Sequence, residues 1–250
     1  YFKWLYKNNP LGEFIGIDAF DEDKKLEIGQ VGGIPYEFNH KGKKIKILQS
    51  INVCVDKDYR GKKLFTEMAN RLEVYAKEQG YSYIIAIANK LATPAWQQSI
   101  SMKFLSKLDV LFGYGDLGIN DLKLDEEIFR SIWNQDRINW RKNNPFNKVF
   151  LNKETKIKLS SPSVLSIFKV FSYLENKDYS LVFDRMSLNR VIPSLFIGLA
   201  PQYKNKNFFF KIPEMIKPSP LNFLYKDISG NNSVIDKKKC FFSYLDFDAY

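Results

Sequence analysis

Cysteine, histidine and long apolar runs are what this chain has least of. Its two cysteines, Cys54 and Cys240, are far apart and have no CxxC partner, which excludes a disulfide-stapled miniprotein and fits a reducing compartment. With one histidine besides, no metal-ligand spacing is present, and we expect no metal. No apolar run approaches the ~20 residues needed to cross a bilayer. Tyr1 to Pro10 also lack the charged-then-apolar order of a signal peptide, so we expect no membrane association and a cytoplasmic location. The chain begins at Tyr1 rather than at a methionine, and we expect a segment upstream of it. What is plentiful is apolar: 45% hydrophobic content over 250 residues suffices for a core, which excludes disorder and collagen-like repeats. That length admits one large domain or two lobes of roughly 120 residues.

The net charge is +10, from 38 Lys and Arg against 28 Asp and Glu, and such a surface favours polyanionic ligands: nucleic acid, anionic lipid or phosphorylated cofactors. The excess is mostly lysine in a chain also rich in Asn and Ile, a bias that AT-rich coding alone produces. Lys237-Lys238-Lys239 has none of the interleaved aromatics of a nucleic-acid track, and we expect no nucleic-acid partner.

Alternation predicts strands at Phe14–Phe20 and Ile28–Phe38, then a third in which Ile45, Ile47, Gln49, Ile51, Val53 and Val55 share one face. From Gly61 the period becomes helical: Leu64, Phe65, Met68, Leu72, Tyr75 and Ala76 predict a helix over Lys63–Gln79, with Gly80 at its C-terminal cap. Tyr81–Ala88 reads as a buried strand parallel to the third. Thr93 is placed to cap a helix starting at Pro94 and carrying Trp96. Phe104–Leu111 reads as one strand, and Gly113, Gly115 and Gly118 close the first lobe. Later elements are a helix at Asp125–Trp140, a helix at Tyr179–Val191, and strands at Ser194–Gly198, Asn207–Ile212, Leu221–Lys226 and Cys240–Phe247. Tyr1 to Pro10, with Trp4, Asn8 and Asn9, is echoed by Arg137 to Pro145, with Trp140, Asn143 and Asn144. We therefore expect two lobes of related design, 1–118 and 119–250.

The most informative stretch is Val53 to Phe65, where a strand passes through a basic, glycine-containing turn straight into a helix. Such a turn offers free N–H groups and a positive helix end to an anion, with Arg60, Lys62 and Lys63 adding formal charge. An ordinary loop with solvated lysines has the same pattern.

Asp56 to Phe65 resembles the coenzyme A loop of the GNAT acyltransferases: Arg or Gln, two variable residues, Gly, one variable residue, then Gly or Ala. Trp4 to Gly12, Gly32-Gly33-Ile34-Pro35, Gln49-Ser50 and Ala88-Asn89 before Pro94 and Trp96 resemble one branch of that family, which joins a GNAT domain to a degenerate second one. Over the second half the likeness rests on Trp140, Pro218 to Asn222, and Leu245 to Asp248. The resemblance implies an α/β fold of the α+β kind: tandem GNAT-like lobes, each a mixed, mostly antiparallel sheet with a splayed parallel pair, flanked by helices. It implies acyl transfer, with acetyl-CoA as the expected cofactor, to a small-molecule amine such as an amino sugar or nucleotide-linked amino sugar. The residues carried over for the cofactor are Val53, Cys54 and Val55 on the strand, Arg60, Gly61, Lys62, Lys63 and Leu64 in the turn, and Asn89. Two positions depart from the pattern, since Lys63 stands for its first glycine and Phe65 for its second small residue.

For acid–base chemistry the family uses a Glu on the splaying strand and a Tyr on the next helix, and this chain has neither there. Ser50 or Asn52 relaying a water, Glu37, and Asp246 or Asp248 from the second lobe are the candidate bases, and Tyr114 the candidate acid. His40 reads as a solvated turn residue and Cys54 as strand filling. Two other readings stay open: a non-catalytic scaffold with a degraded loop, and tRNA-dependent aminoacyl transfer by paired lobes, which the +10 charge would suit.

Overall fold

The computed structural model describes residues 1–114, 117, 127–146, 149–152, 158–164, 168–174, 193–201, 209–217 and 219–247. The alternating stretches become β1 (Ile15–Asp21), β2 (Leu26–His40) and β3 (Lys43–Val55), an antiparallel meander. The helical period becomes α1 (Leu64–Glu78), whose Met68, Ala69, Leu72 and Ala76 are buried at that spacing. A glycine with φ of +78°, Gly80, follows its end. β4 (Tyr83–Ala88) then lies parallel to β3, as a strand–helix–strand unit requires. α2 (Ala92–Ile100) starts earlier than Thr93 predicts, because Asn89 caps it instead: its Oδ1 accepts from the amides of Leu91 and Ala92 at 2.9 and 2.8 Å.

The run from Phe104 to Leu111 is two strands rather than one. β5 (Lys103–Lys107) and β6 (Asp109–Gly113) part at Leu108, whose amide donates to Leu221. They part because they serve different regions of the sheet. β5 pairs with β13 (Asn222–Asp227), which lies between β4 and β5, while β6 crosses over to pair with β11 (Ser194–Leu199) and β12 (Phe209–Lys211). The two halves thus exchange a strand each.

The expected helix over Asp125–Trp140 is also replaced. Of its described residues, Phe129–Ser131 form strand β7, wedged between β2 and β14 (Cys240–Ser243), and the helical ones lie in α3 (Gln135–Lys142). β8 (Phe150–Asn152), β9 (Lys158–Val164) and β10 (Phe168–Tyr173) complete a continuous 14-stranded sheet. The strand expected over Cys240–Phe247 ends at Ser243 and turns into a short 3-10 helix at Tyr244–Asp246. The helix expected at Tyr179–Val191 lies outside the described residues.

The echo between the two halves is physical. Trp4 and Trp140 stack with ring centroids 4.7 Å apart, and each indole N–H donates to the other residue's carbonyl, at 2.7 and 3.0 Å. Asn9 and Asn144 make the same turn, their Oδ1 atoms accepting from Leu11 and Phe146. This reciprocal seam sits in an apolar core that both halves of the chain supply, with Ile34, Ile85, Phe223 and Phe242. A second core lies under α1 and α2, around Leu48, Met68, Leu72, Ile84 and Trp96. Among the described residues no helix is long and apolar enough to cross a membrane.

Candidate functional site

β3 and β4 hold together for four parallel pairs, from Ile47↔Tyr83 to Ser50↔Ala86, and then diverge. The cause is a bulge. Gln30 faces Cys54 but Gly32 faces Ile51, so Val31 opposes two residues, and Asn52 takes up the extra one with φ of +51°. The bulge reverses the side-chain parity, so the single face expected for Ile45 to Val55 does not exist. Ile47 and Ile51 enter the core that holds the Trp4–Trp140 seam, while Val53 and Val55 pack into the core under α1. Beyond Ser50 the inner edge of β3 has left β4, and β4 continues to Ala88 along β13. The result is a wedge open toward the turn that follows β3.

That turn is braced from below. Asp56 accepts from the amide of Asp58 at 2.9 Å, and the hydroxyl of Tyr59 donates to Asp21, holding that carboxyl below its ordinary range. Lys24 donates to the Tyr59 oxygen at 2.7 Å, and Lys62 sits over the same ring at 4.7 Å. Arg60 places its Nε 3.1 Å from the carbonyl of Val55, which keeps the guanidinium at the mouth of the wedge. Gly61 and Lys63 both take left-handed conformations, with φ of +78° and +61°. Lys63 is the N-cap of α1 and makes no side-chain cap bond, and the first helical bond is from Glu67 to its carbonyl. The amides of Leu64, Phe65 and Thr66 therefore open α1 beside three exposed cations, Arg60, Lys62 and Lys63.

The far wall of the wedge is α2. Phe65 meets Trp96 edge-on at 5.0 Å, and Thr66 and Ser99 share a hydroxyl hydrogen bond of 2.9 Å, so the departure at Phe65 is used for packing between the two helices. Asn89 is at this wall, but its Oδ1 is committed to capping α2.

Ser50, Asn52, Val53, Cys54 and Val55 lie along the diverging end of β3, the 60–64 turn follows it, and Asn89 follows β4. Ser50 spends its hydroxyl on the carbonyl of Gly32, at 3.0 Å, and the Asn52 amide donates to the Tyr6 hydroxyl. Tyr114 stands elsewhere, past the end of β6 in the second half's region of the sheet and exposed. Asp248 lies outside the described residues. Its neighbour Asp246 is 1% exposed and fully engaged: it accepts from Ser131, from the amide of Ser243 at 2.8 Å, and lies 3.8 Å from Arg137. Burial pushes its carboxyl up and brings Arg137 down to about 10. Asp246 is thus a structural anchor rather than a base. Glu37 is paired with Lys44 at 2.7 Å.

Tyr6 and Asn222 were not among the candidate site residues, and Gln49 carried only the family resemblance; all three adjoin the divergence. Tyr6 holds Asn52 and stacks on Phe14. Asn222, level with Ala88, donates to Thr93 at 2.8 Å, and its buried Oδ1 has no hydrogen-bond partner. Gln49, one pair before the divergence, is buried with its Oε1 likewise unpartnered. Tyr6, Gln49 and Asn222 all fall in the stretches that carried the family resemblance.

A family model described as an acetyltransferase (GNAT) domain matches residues 4–93. A GCN5-related N-acetyltransferase from Kribbella flavida aligns with 86% of this chain at TM-score 0.53 and 10% identity. One from Anabaena variabilis aligns with 89% at TM-score 0.50 and 9% identity. The chain spans 60% and 64% of the length of those two proteins, and at such identities the likeness is one of fold. A search of curated proteins gave no match.

Proposed function

Because residues 4–93 match the model of a GNAT acetyltransferase domain, we propose that this protein transfers an acyl group, acetyl in the first instance, from acyl-coenzyme A to the amine of a small molecule. The observation that carries the reading is the divergence of β3 from β4 just before the turn that leads into the cationic start of α1, which has no side-chain cap. The residues present fit a diphosphate-bearing thioester. Arg60, Lys62 and the amides of Leu64 to Thr66 hold the pyrophosphate, and the freed edge of Val53 to Val55 lines the arm. Lys63 is exposed, so its side chain can add charge without filling the backbone cradle.

Acyl-coenzyme A supplies an activated carbonyl carbon, at which a C–N bond to the amine forms as the C–S bond breaks. The protein's contribution is orientation. A rigid wedge that holds the amine ~3–3.5 Å from that carbon replaces a bimolecular encounter. On this reading a main-chain N–H near the Asn52 bulge polarises the carbonyl. The unpartnered amide oxygens of Gln49 and Asn222 are acceptors for N–H groups of the ligands. The second lobe forms the acceptor side of a tandem arrangement, which the reciprocal Trp4–Trp140 seam supports. An amino sugar, with a nucleotide attached or without, and a cytoplasmic location belong to the same reading.

Calorimetry with coenzyme A tests it. Saturable binding is expected, weakened at least roughly tenfold by Arg60→Ala with Lys62→Ala. Thiol release from acetyl-coenzyme A across a panel of amines then identifies the acceptor. No binding by the unmodified chain overturns the proposal, and binding without turnover of any amine leaves a scaffold.

A further inference from the structure

β10 and β11 repeat the arrangement of β3 and β4. They run parallel for three pairs, Lys169↔Ser194 to Phe171↔Phe196, and then part. β9 covers the outer edge of β10 and β6 that of β11, as β2 and β13 cover β3 and β4. Each half therefore has a splayed parallel pair whose second strand is flanked by a strand exchanged from the other half.

The difference is what stands in the gap. In the second half β14 enters it: Gly198 pairs with Ser243 and Leu199 with Phe242, just beyond the last β10–β11 pair. On the other side the Ser243 hydroxyl meets that of Ser172 on β10, buried, at 2.5 Å. All four residues of β14 are buried. The approach is as close as backbone allows, since a Cβ on Gly198 would lie 2.1 Å from the carbonyl oxygen of Phe242.

β14 is also tied at both ends. Cys240 and Phe241 pair with β7, which pairs with β2, so the strand joins the two halves of the sheet. Ser243 forms a capping box with Asp246, whose carboxylate rests against Arg137 and Ser131. A ligand entering this gap would have to break the β14–β11 ladder and the seam to β7 together. The main-chain groups that an amide-bearing arm would use there are already satisfied.

We infer that β14 is a built-in occupant of the second gap, so that each chain holds one coenzyme A, in the first gap alone. The count of one rests on the acyl-coenzyme A reading, whereas the occupancy of the second gap does not. Native mass spectrometry with coenzyme A, combined with amide hydrogen exchange, separates the two. One adduct is expected, lost in the Arg60→Ala, Lys62→Ala double variant, with β14 amides exchanging as slowly as those of β4 whether or not coenzyme is present. A second adduct, or an adduct that survives the double variant, overturns the inference. So does β14 exchange as fast as that of the exposed 229–233 turn. If no adduct forms, the coenzyme reading fails, and the exchange of β14 still decides whether the second gap is plugged.

Discussion

Lys63 adopts a conformation that costs an L-residue roughly 1–2 kcal/mol, because its Cβ crowds the following carbonyl. The resemblance to a glycine-bearing loop identified this position as a departure, and the backbone there remains the one a glycine would take. Lys63→Gly relieves the strain but adds roughly 0.4–1 kcal/mol of unfolded-chain entropy, so a net gain of about 0.5 kcal/mol is expected in urea unfolding. Lys63→Ala, which keeps a Cβ at the same φ, is expected to gain nothing. His40 carries a second prediction at this scale. The sequence places it in a solvated turn, but its Nδ1 lies 3.2 Å from the Tyr83 hydroxyl and its ring packs edge-on against Phe129. Burial, and then the charge of Lys41, hold the imidazole below its ordinary 6.5. The unfolded chain therefore takes up a proton near pH 6.5 while the folded one resists it. Stability is fully kept above that pH and lost below it, down through the folded value. Unfolding free energies at pH 7.5, 6.0 and 5.0 should fall more steeply for the unmodified chain than for His40→Gln. Equal slopes would mean that the ring is free in solution.

At the scale of elements, local periodicity was a good guide wherever neighbours in sequence are also neighbours in space. α1 and β4 match their expected limits closely because one amphipathic face and one short buried run specify them. The Ile128–Trp133 part of the helix expected over Asp125–Trp140 failed for the opposite reason. Its apolar residues have helical spacing, yet pairing with β2 and β14, from distant parts of the chain, claims Phe129–Ser131 for the sheet. The parity of β3 was misjudged because a bulge at Asn52 has no apolar signature, although an asparagine tolerates its positive φ. The coenzyme turn was legible from its residues, and Gln49 and Asn222 stood in stretches that carried the resemblance, but an orphaned amide oxygen is visible only when its surroundings are. Gly198 was silent in sequence too, and it supplies this scale's prediction. Gly198→Val forces a side chain into the backbone of β14, and a loss of about 3 kcal/mol or more is expected in denaturant unfolding. Gly61→Ala is the control. Nothing stands within 4 Å of a Cβ there, so only the cost of its +78° φ, about 1 kcal/mol, should appear.

For the molecule as a whole, the exchange of β6 and β13 decides how it folds. A chain split near Gly118 would strand β6 away from its partners β11 and β12, and would leave β4 and β5 without the strand that joins them. Phe223, Leu224 and Tyr225, all buried, come from the second half but complete the cores on both faces of the first half's sheet. Losing them removes apolar burial worth roughly 1.5–3 kcal/mol per side chain, against a total stability of only about 5–15 kcal/mol. The β7–β14 seam and the Trp4–Trp140 stack add further contacts that neither half makes alone. The two halves of the chain are in this way one unit in energy. The full chain should unfold in a single calorimetric transition whose van't Hoff and calorimetric enthalpies agree. A fragment of residues 1–118 should lack cooperative unfolding and the slow amide exchange of β4, and should recover both when mixed with residues 119–250. Two well-separated transitions in the intact chain, or a cooperative 1–118 fragment, would show that the exchanged strands decorate independent domains. The wedge could then be studied in the first half by itself.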